Sequence, residues 1–314
     1  MELKKTSVSD LFTLLFASFS LLRLNLRTFV LASLLSIAVI IVFTGVFMLV
    51  VFGSMDFTPE GLAAGPDIQK IMTLYGVAIL IGVLVMPPFI AGWFKLCQKL
   101  SLAQNASPLE IFHVYSNSST WIKLIIYGLL GTLLYIIVLA GFGFICISAG
   151  LGQNMQSFMT AQMSGDPNAI MSLPASFWLA YIGFILLANF LQIIFLLGFC
   201  QATLTESNAF ESLQASIAAV FSNLLALLAF TLISLVAAII LIFMIALVLG
   251  LLAVALAFIH NALAVLIMAI FYVALLLTIY PLMFSFLYLL WNSLLGNGSN
   301  NLAAANSKDT EFLV

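Results

Sequence analysis

The chain has 314 residues, 64% of them hydrophobic and only 6% charged, with a formal net charge of −2. A soluble domain carries roughly 25% charged residues, so this composition excludes a water-covered surface and puts most of the chain in lipid. The small net charge offers nothing for nucleic acid, and Cys97, Cys146 and Cys200 stand too far apart for a metal-ligand motif.

The first element is an amphipathic helix near 8–26, within "SDLFTLLFASFSLLRLNL". In helical register Phe12, Leu15, Phe19, Leu22 and Leu26 form an apolar stripe. Arg23 and Arg27 follow the apolar stretch, which is the wrong order for a signal peptide. Two placements fit. The helix lies on the cytoplasmic leaflet with its arginines at lipid phosphates, or it extends the first span and packs on its neighbours.

Six charge-free apolar runs follow, near 28–53, 71–93, 124–148, 177–203, 223–248 and 262–291. Each is long enough to span a bilayer. Charges, Pro, Gly, Asn and Ser collect between them. The stretch from Leu224 to Ile259 has no charge or proline and is too long for one straight span. A break near Gly250 with a short interfacial segment is expected; two short spans are the alternative. Two further amphipathic segments lie near 107–121 and 207–222. Ser7 with Asp10, Ser107 with Glu110 and Asn208 with Glu211 each have capping-box spacing. A shift of 198 residues lays the first amphipathic segment over the third. Ser18 then meets Ser216, Asn25 meets Asn223, and Ser33 and Ser36 meet Thr231 and Ser234.

With six alternating spans, Lys4, Lys5, Arg23, Arg27, Lys95, Lys99, Lys123 and Lys308 share one side, and Lys70 alone takes the other. Basic residues stay inside, so both termini are expected in the cytoplasm. Trp93, Trp121 and Trp291 then fall at inner span ends and Trp178 at an outer one, as an aromatic belt predicts. The fold expected is an all-α polytopic membrane protein. Its six transmembrane helices form three hairpins, each preceded by a cytoplasmic amphipathic helix. Residues 1–298 make a single membrane domain, and 299–314 a disordered cytoplasmic tail.

The segments "NAFESLQASIAAVFSNLLALLAF" and "MPPFIAGWFKLCQKL" resemble the uncharacterised bacterial inner-membrane proteins related to YciC. They are also similar to the membrane domain attached to some glycerophosphodiester phosphodiesterases. The resemblance implies six spans and an inner-membrane location, and supplies no catalytic residue. Here Gln214 and Ser216 stand where that family commonly has basic residues.

No P-loop, GxSxG or HExxH motif occurs, and no acid pair lies in a span. An enzyme, a cofactor and a metal site are therefore not expected. The remaining candidates are neutral or basic. Asn189, Gln192, Ser36 and Ser234 would line an intramembrane polar surface. Pro87, Pro88 and Pro281 would kink spans and free carbonyls. Arg23, Arg27, Lys95 and Lys99 would meet anionic lipids. Gly128, Gly131, Gly141 and Gly143 would mark close helix packing. Two functions fit: passive handling of lipid or apolar solute, or a scaffold that binds a membrane-protein partner.

Overall fold

A computed structural model describes residues 4–54, 68–164, 173–257 and 261–296. Every regular element among them is helical. In chain order these are α1 (Val8–Leu24), α2 (Leu26–Ser54), α3 (Ile68–Ser101), a 3-10 helix (Pro108–Ser116), α4 (Ser118–Ser148), α5 (Gly152–Ser164), α6 (Ala175–Leu204), α7 (Ala209–Ser222), α8 (Leu224–Ala257) and α9 (Asn261–Leu294). Five stretches are long and apolar enough to cross a membrane: Leu26–Leu49, Ser118–Ser148, Ala175–Leu204, Leu224–Gly250 and Val265–Leu294. The chain is a multi-pass, all-α membrane protein. The tail at 299–314 lies outside the described residues.

Local chemistry sets the helix starts. Ser7 accepts from the Asp10 N–H at 3.2 Å and donates to the Asp10 carboxylate through both its N–H and its hydroxyl. These bonds, the backbone one first, hold the Asp10 carboxyl below its usual range. Asn208 and Glu211 form the same box at α7. The third expected box does not form. Ser107 accepts from the Leu109 N–H, while Glu110 turns away to Lys99. Three residues of Pro108–Ser116 per turn replace the expected α-helix, and α4 starts separately at Ser118.

Helix breaks fall at asparagine in all three places. Asn25 caps α1 with φ −120° and ψ 28°, and Asn223 caps α7 with φ −118° and ψ 18°. Each side chain donates to the carbonyl four residues back, at 3.1 Å to Leu21 and 2.9 Å to Ala219. Asn117 separates the 3-10 helix from α4, and its side chain accepts from the Thr120 N–H.

The amphipathic elements dock in rotation. The 3-10 helix packs on α3 and α2, α7 on α6 and α4, and α1 on α9 and α8. Each thus rests on the two long helices of the preceding unit, and α1 closes the ring onto the last pair. Meanwhile α3, α6 and α9 touch one another at the centre. Asn223 secures the closure. Its Oδ1 accepts from the Thr6 N–H at 2.7 Å, and its Nδ2 donates to the Lys4 carbonyl at 3.1 Å.

The buried faces differ from the expected stripe. In α1 the buried residues are Leu11, Leu14, Ser18 and Leu22; in α7 they include Ala209, Ser212, Ser216 and Val220. These are the same four positions at the 198-residue shift. Phe19 and Leu26, assigned to the stripe, are exposed, as is Phe210, which matches Phe12 at the shift. Lipid accepts large apolar groups, so small residues take the protein-facing side. Trp93 and Trp291 sit in the core instead of a belt, where their indole N–H groups donate to Ser36 and Gln201.

Packing concentrates at the end that holds Lys99, Asn117 and Asn223. Phe29 and Phe284 stack on either side of Trp93, with Tyr280 edge-on. The far halves of the long helices are largely exposed. The break expected near Gly250 is absent: α8 is a continuous 34-residue helix, about 51 Å long. An uninterrupted apolar run contains no group to stop it, and a helix longer than the ~30 Å core tilts or protrudes instead. Helix α5 was not expected; its Phe158 joins Phe177, Trp178 and Tyr181 of α6.

Gly92 fixes the closest approach. A Cβ there would run into the backbone of Ile111. Gly92→Ala is expected to cost about 3 kcal/mol, and Asn223→Leu about 1–3 kcal/mol through two unpaired backbone groups. Thermal melts in one detergent should show both losses, against an unchanged Gly141→Ala control, whose Cβ meets nothing within 4 Å.

Candidate functional site

Helix α3 carries Pro87 and Pro88 in its interior. A proline removes the N–H that would bond the carbonyl four residues earlier, so the Val83 and Leu84 carbonyls lose their helical donors. Trp121 Nε1 donates to the Leu84 carbonyl at 3.2 Å, and the Tyr115 hydroxyl donates to the Val85 carbonyl at 2.6 Å. Burial pushes the Tyr115 phenol up to about 12, so it remains a donor through neutral pH. Both donors come from the Pro108–Ser116 segment and the first turn of α4, brought close by the approach at Gly92.

Beside the two prolines lies a cavity of about 230 Å³. Gly82, Val83, Met86, Pro87 and Ile90 of α3 line one wall; Gly128 and Thr132 of α4 and Phe195 and Phe199 of α6 line the others. Gly128 lets Pro87 approach, since a Cβ there would stand 3.2 Å from the proline Cγ. The Phe195 ring lies where a Gly131 side chain would be. Tyr127 donates to the Phe195 carbonyl at 2.9 Å and ties α4 to α6. Thr132 is exposed, so the cavity opens sideways toward the membrane surface of the bundle.

The lining contains no titratable side chain, and proton transfer at this site has no donor or acceptor from it. Among the described residues no group of three His, Cys, Asp or Glu comes together. What the walls offer is apolar contact and one hydroxyl. The volume exceeds the ~150 Å³ that takes up benzene in an engineered protein cavity and falls short of the ~300 Å³ lower limit for drug-sized sites. It suits part of one aliphatic chain, not a headgroup.

The sequence-derived candidates scatter. Pro87 lines the cavity; Pro88 is buried behind it; Pro281 is buried in α9. Ser36 is spent on Trp93 and on its own Ala32 carbonyl. The Ser234 hydroxyl is buried without a partner among the described residues. Asn189 and Gln192 do not line the cavity: both are exposed on the outer face of α6, because the inner face is filled by Leu191, Ile194 and Phe195. Arg23 and Arg27 are exposed and Lys95 is half-buried. Lys99 is paired with Glu110 at 2.6 Å and is not a free cation for lipid. Gly141 and Gly143 face open space, so of the four glycines only Gly128 and Gly131 pack closely.

Gly82, Thr132, Phe195, Phe199, Tyr115 and Trp121 were not anticipated. The prolines pointed to freed carbonyls, but nothing in the sequence says which distant donors reach them. No family model, curated protein or solved structure matches the chain.

Trp121→Phe should destabilise the fold by about 1–3 kcal/mol, and by more than Tyr115→Phe. Pro88 leaves Leu84 no helical donor, whereas Phe89 retains an N–H for Val85. Paired melts of the two variants measure the difference.

Proposed function

We propose that this protein is a passive handler of lipid or apolar solute that takes an aliphatic chain into the cavity beside Pro87. The observation that carries the reading is a lateral, apolar cavity of about 230 Å³ beside Pro87, inside a chain with several helices long and apolar enough to cross a membrane. Lys95 lies seven residues beyond Pro88 on α3, about 10 Å along the axis. A lipid whose chain enters the cavity would have its headgroup near that level, where Lys95 favours an anion.

The topology we infer is six spans in three hairpins, with α3 as the sixth, in a bacterial inner membrane. The basic end, with both termini, faces the cytoplasm under the positive-inside rule. The rotating dock of the three amphipathic elements supports parallel repeats about an axis along the membrane normal. Arg23 and Arg27, exposed at that end, would meet anionic headgroups. The resemblance to the YciC-related family agrees with this topology but names no ligand.

Gly82→Leu tests the cavity directly. A Cβ at Gly82 meets nothing within 4 Å, so the side chain fills the space without striking the backbone. In polymer nanodiscs drawn from the native bilayer, the wild type should retain one lipid class above its bulk share, and Gly82→Leu should reduce that enrichment roughly tenfold. Bulk-like lipid around the wild type overturns the proposal. Alanine at Arg23, Arg27 and Lys95 together should weaken retention of anionic lipid only, read by the same mass spectrometry; unchanged retention removes the headgroup role.

A further inference from the structure

Asn189 and Gln192 sit near the middle of α6, one turn apart, with both side chains exposed. At that depth exposure means hydrocarbon. Hydroxyls can satisfy themselves on such a helix, as Thr278 does by donating to the Ala274 carbonyl at 2.7 Å and Ser36 to Ala32 at 2.8 Å. A carboxamide cannot do so fully, because it has two N–H donors and a two-lone-pair oxygen. Asn189 places one N–H on the Ile185 carbonyl at 2.8 Å, and its oxygen is left without a donor among the described residues. The Gln192 amide has no partner among them. Four other amides are used: Gln201 takes the Trp291 indole, and Asn25, Asn117 and Asn223 close helix junctions.

We propose that this face of α6 is the contact surface for a second copy of the chain, in a parallel dimer about a two-fold axis along the membrane normal. The amide chemistry selects that occupant. A carboxamide is both donor and acceptor, so it complements itself across a two-fold axis. Two copies inserted with the same topology also place Asn189 opposite Asn189 at the same depth, with no adjustment. Any other protein would need its own polar group at that depth. Lipid tails offer neither donor nor acceptor. Ile182, 47% exposed, and Ile185 share this face and supply the apolar part of the contact. Helices α3, α4, α7 and α9 pack against α6 elsewhere on its surface and leave these residues uncovered.

The test is dimerisation of fluorophore-labelled full-length protein in liposomes, read by energy transfer against protein density. Wild type should dimerise. Asn189→Leu with Gln192→Leu should shift the midpoint to roughly tenfold higher density, while Asn189→Gln, which keeps an amide, should leave it near wild type. Leucine suits a lipid-facing position, so the melt of the double variant should not fall; this separates a lost contact from a lost fold. In a Cys146→Ser background, Ile185→Cys should cross-link two copies, and Leu241→Cys, on α8 and 60% exposed, should not. A wild type that stays monomeric at every density, a double variant that dimerises like wild type, or a different protein trapped by Ile185→Cys would each overturn the proposal. The cavity at Pro87 does not include Asn189 or Gln192, so its emptiness would leave this result untouched.

Discussion

A helix that ends or bends in a bilayer must give its freed backbone groups a protein partner, because lipid supplies none. This constraint organises the molecule. The chain changes direction at Asn25, Asn117 and Asn223, and at each point an asparagine side chain bonds the backbone beside it. Where α3 loses the donor to Leu84 at Pro88, Trp121 reaches across from the next segment, and Tyr115 bonds the adjacent Val85 carbonyl. Asn223 additionally recruits the backbone of Lys4 and Thr6, so the ring of amphipathic elements closes through one buried amide. Apolar burial cannot play this part. In lipid the tails are as apolar as the side chains, and association rests on close packing and hydrogen bonds.

The same point explains what was legible in the sequence. Charge-free runs gave the long helices, since a bilayer needs some 20 apolar residues whatever their order. Capping residues located α1 and α7. The phase of the amphipathic faces was lost because the usual pattern assumes water outside. With lipid outside, Phe19 and Phe210 point outward while Ser18 and Ser216 turn in. Trp93 and Trp291 read as belt residues for the same reason, yet their indoles are needed inside as donors to Ser36 and Gln201. The 198-residue correspondence survived this inversion. It rested on paired positions, and one such pair, Ser18 and Ser216, is buried in both copies whichever way the face points. The continuity of α8 through Gly250 was unreadable, because an apolar run carries no mark of where lipid ends.

Packing is uneven along the long helices. The densest region lies at the end bearing the amphipathic elements, where Leu11, Ile111 and Val220 interleave with the ends of α3, α6 and α9. Further along, most side chains are exposed, and contacts such as Phe142 on Phe184 are sparse. The amphipathic elements therefore act as wedges that tie the helices at one end. The cavity lies beside Pro87 of α3, lined also by Gly128 and Thr132 of α4 and Phe195 and Phe199 of α6.

The cavity also lies where the three amphipathic units depart from one another. The first and third are α-helices with closed capping boxes and nearly identical junction angles at Asn25 and Asn223. The second is a tighter 3-10 helix, and its Glu110 serves Lys99 instead of its own N-terminus. Those differences serve one geometry. The 3-10 helix lies directly on α3 because Gly92 has no side chain to hold Ile111 away. Only from that position can Tyr115 and Trp121 reach the carbonyls at the kink. An α-helical copy standing further off would leave the Leu84 carbonyl unpaired in lipid, and the double proline would then be too costly to keep. In the proposed reading, the departure of the middle unit from the repeat is thus what permits a kink, and the kink is what leaves space for a ligand chain.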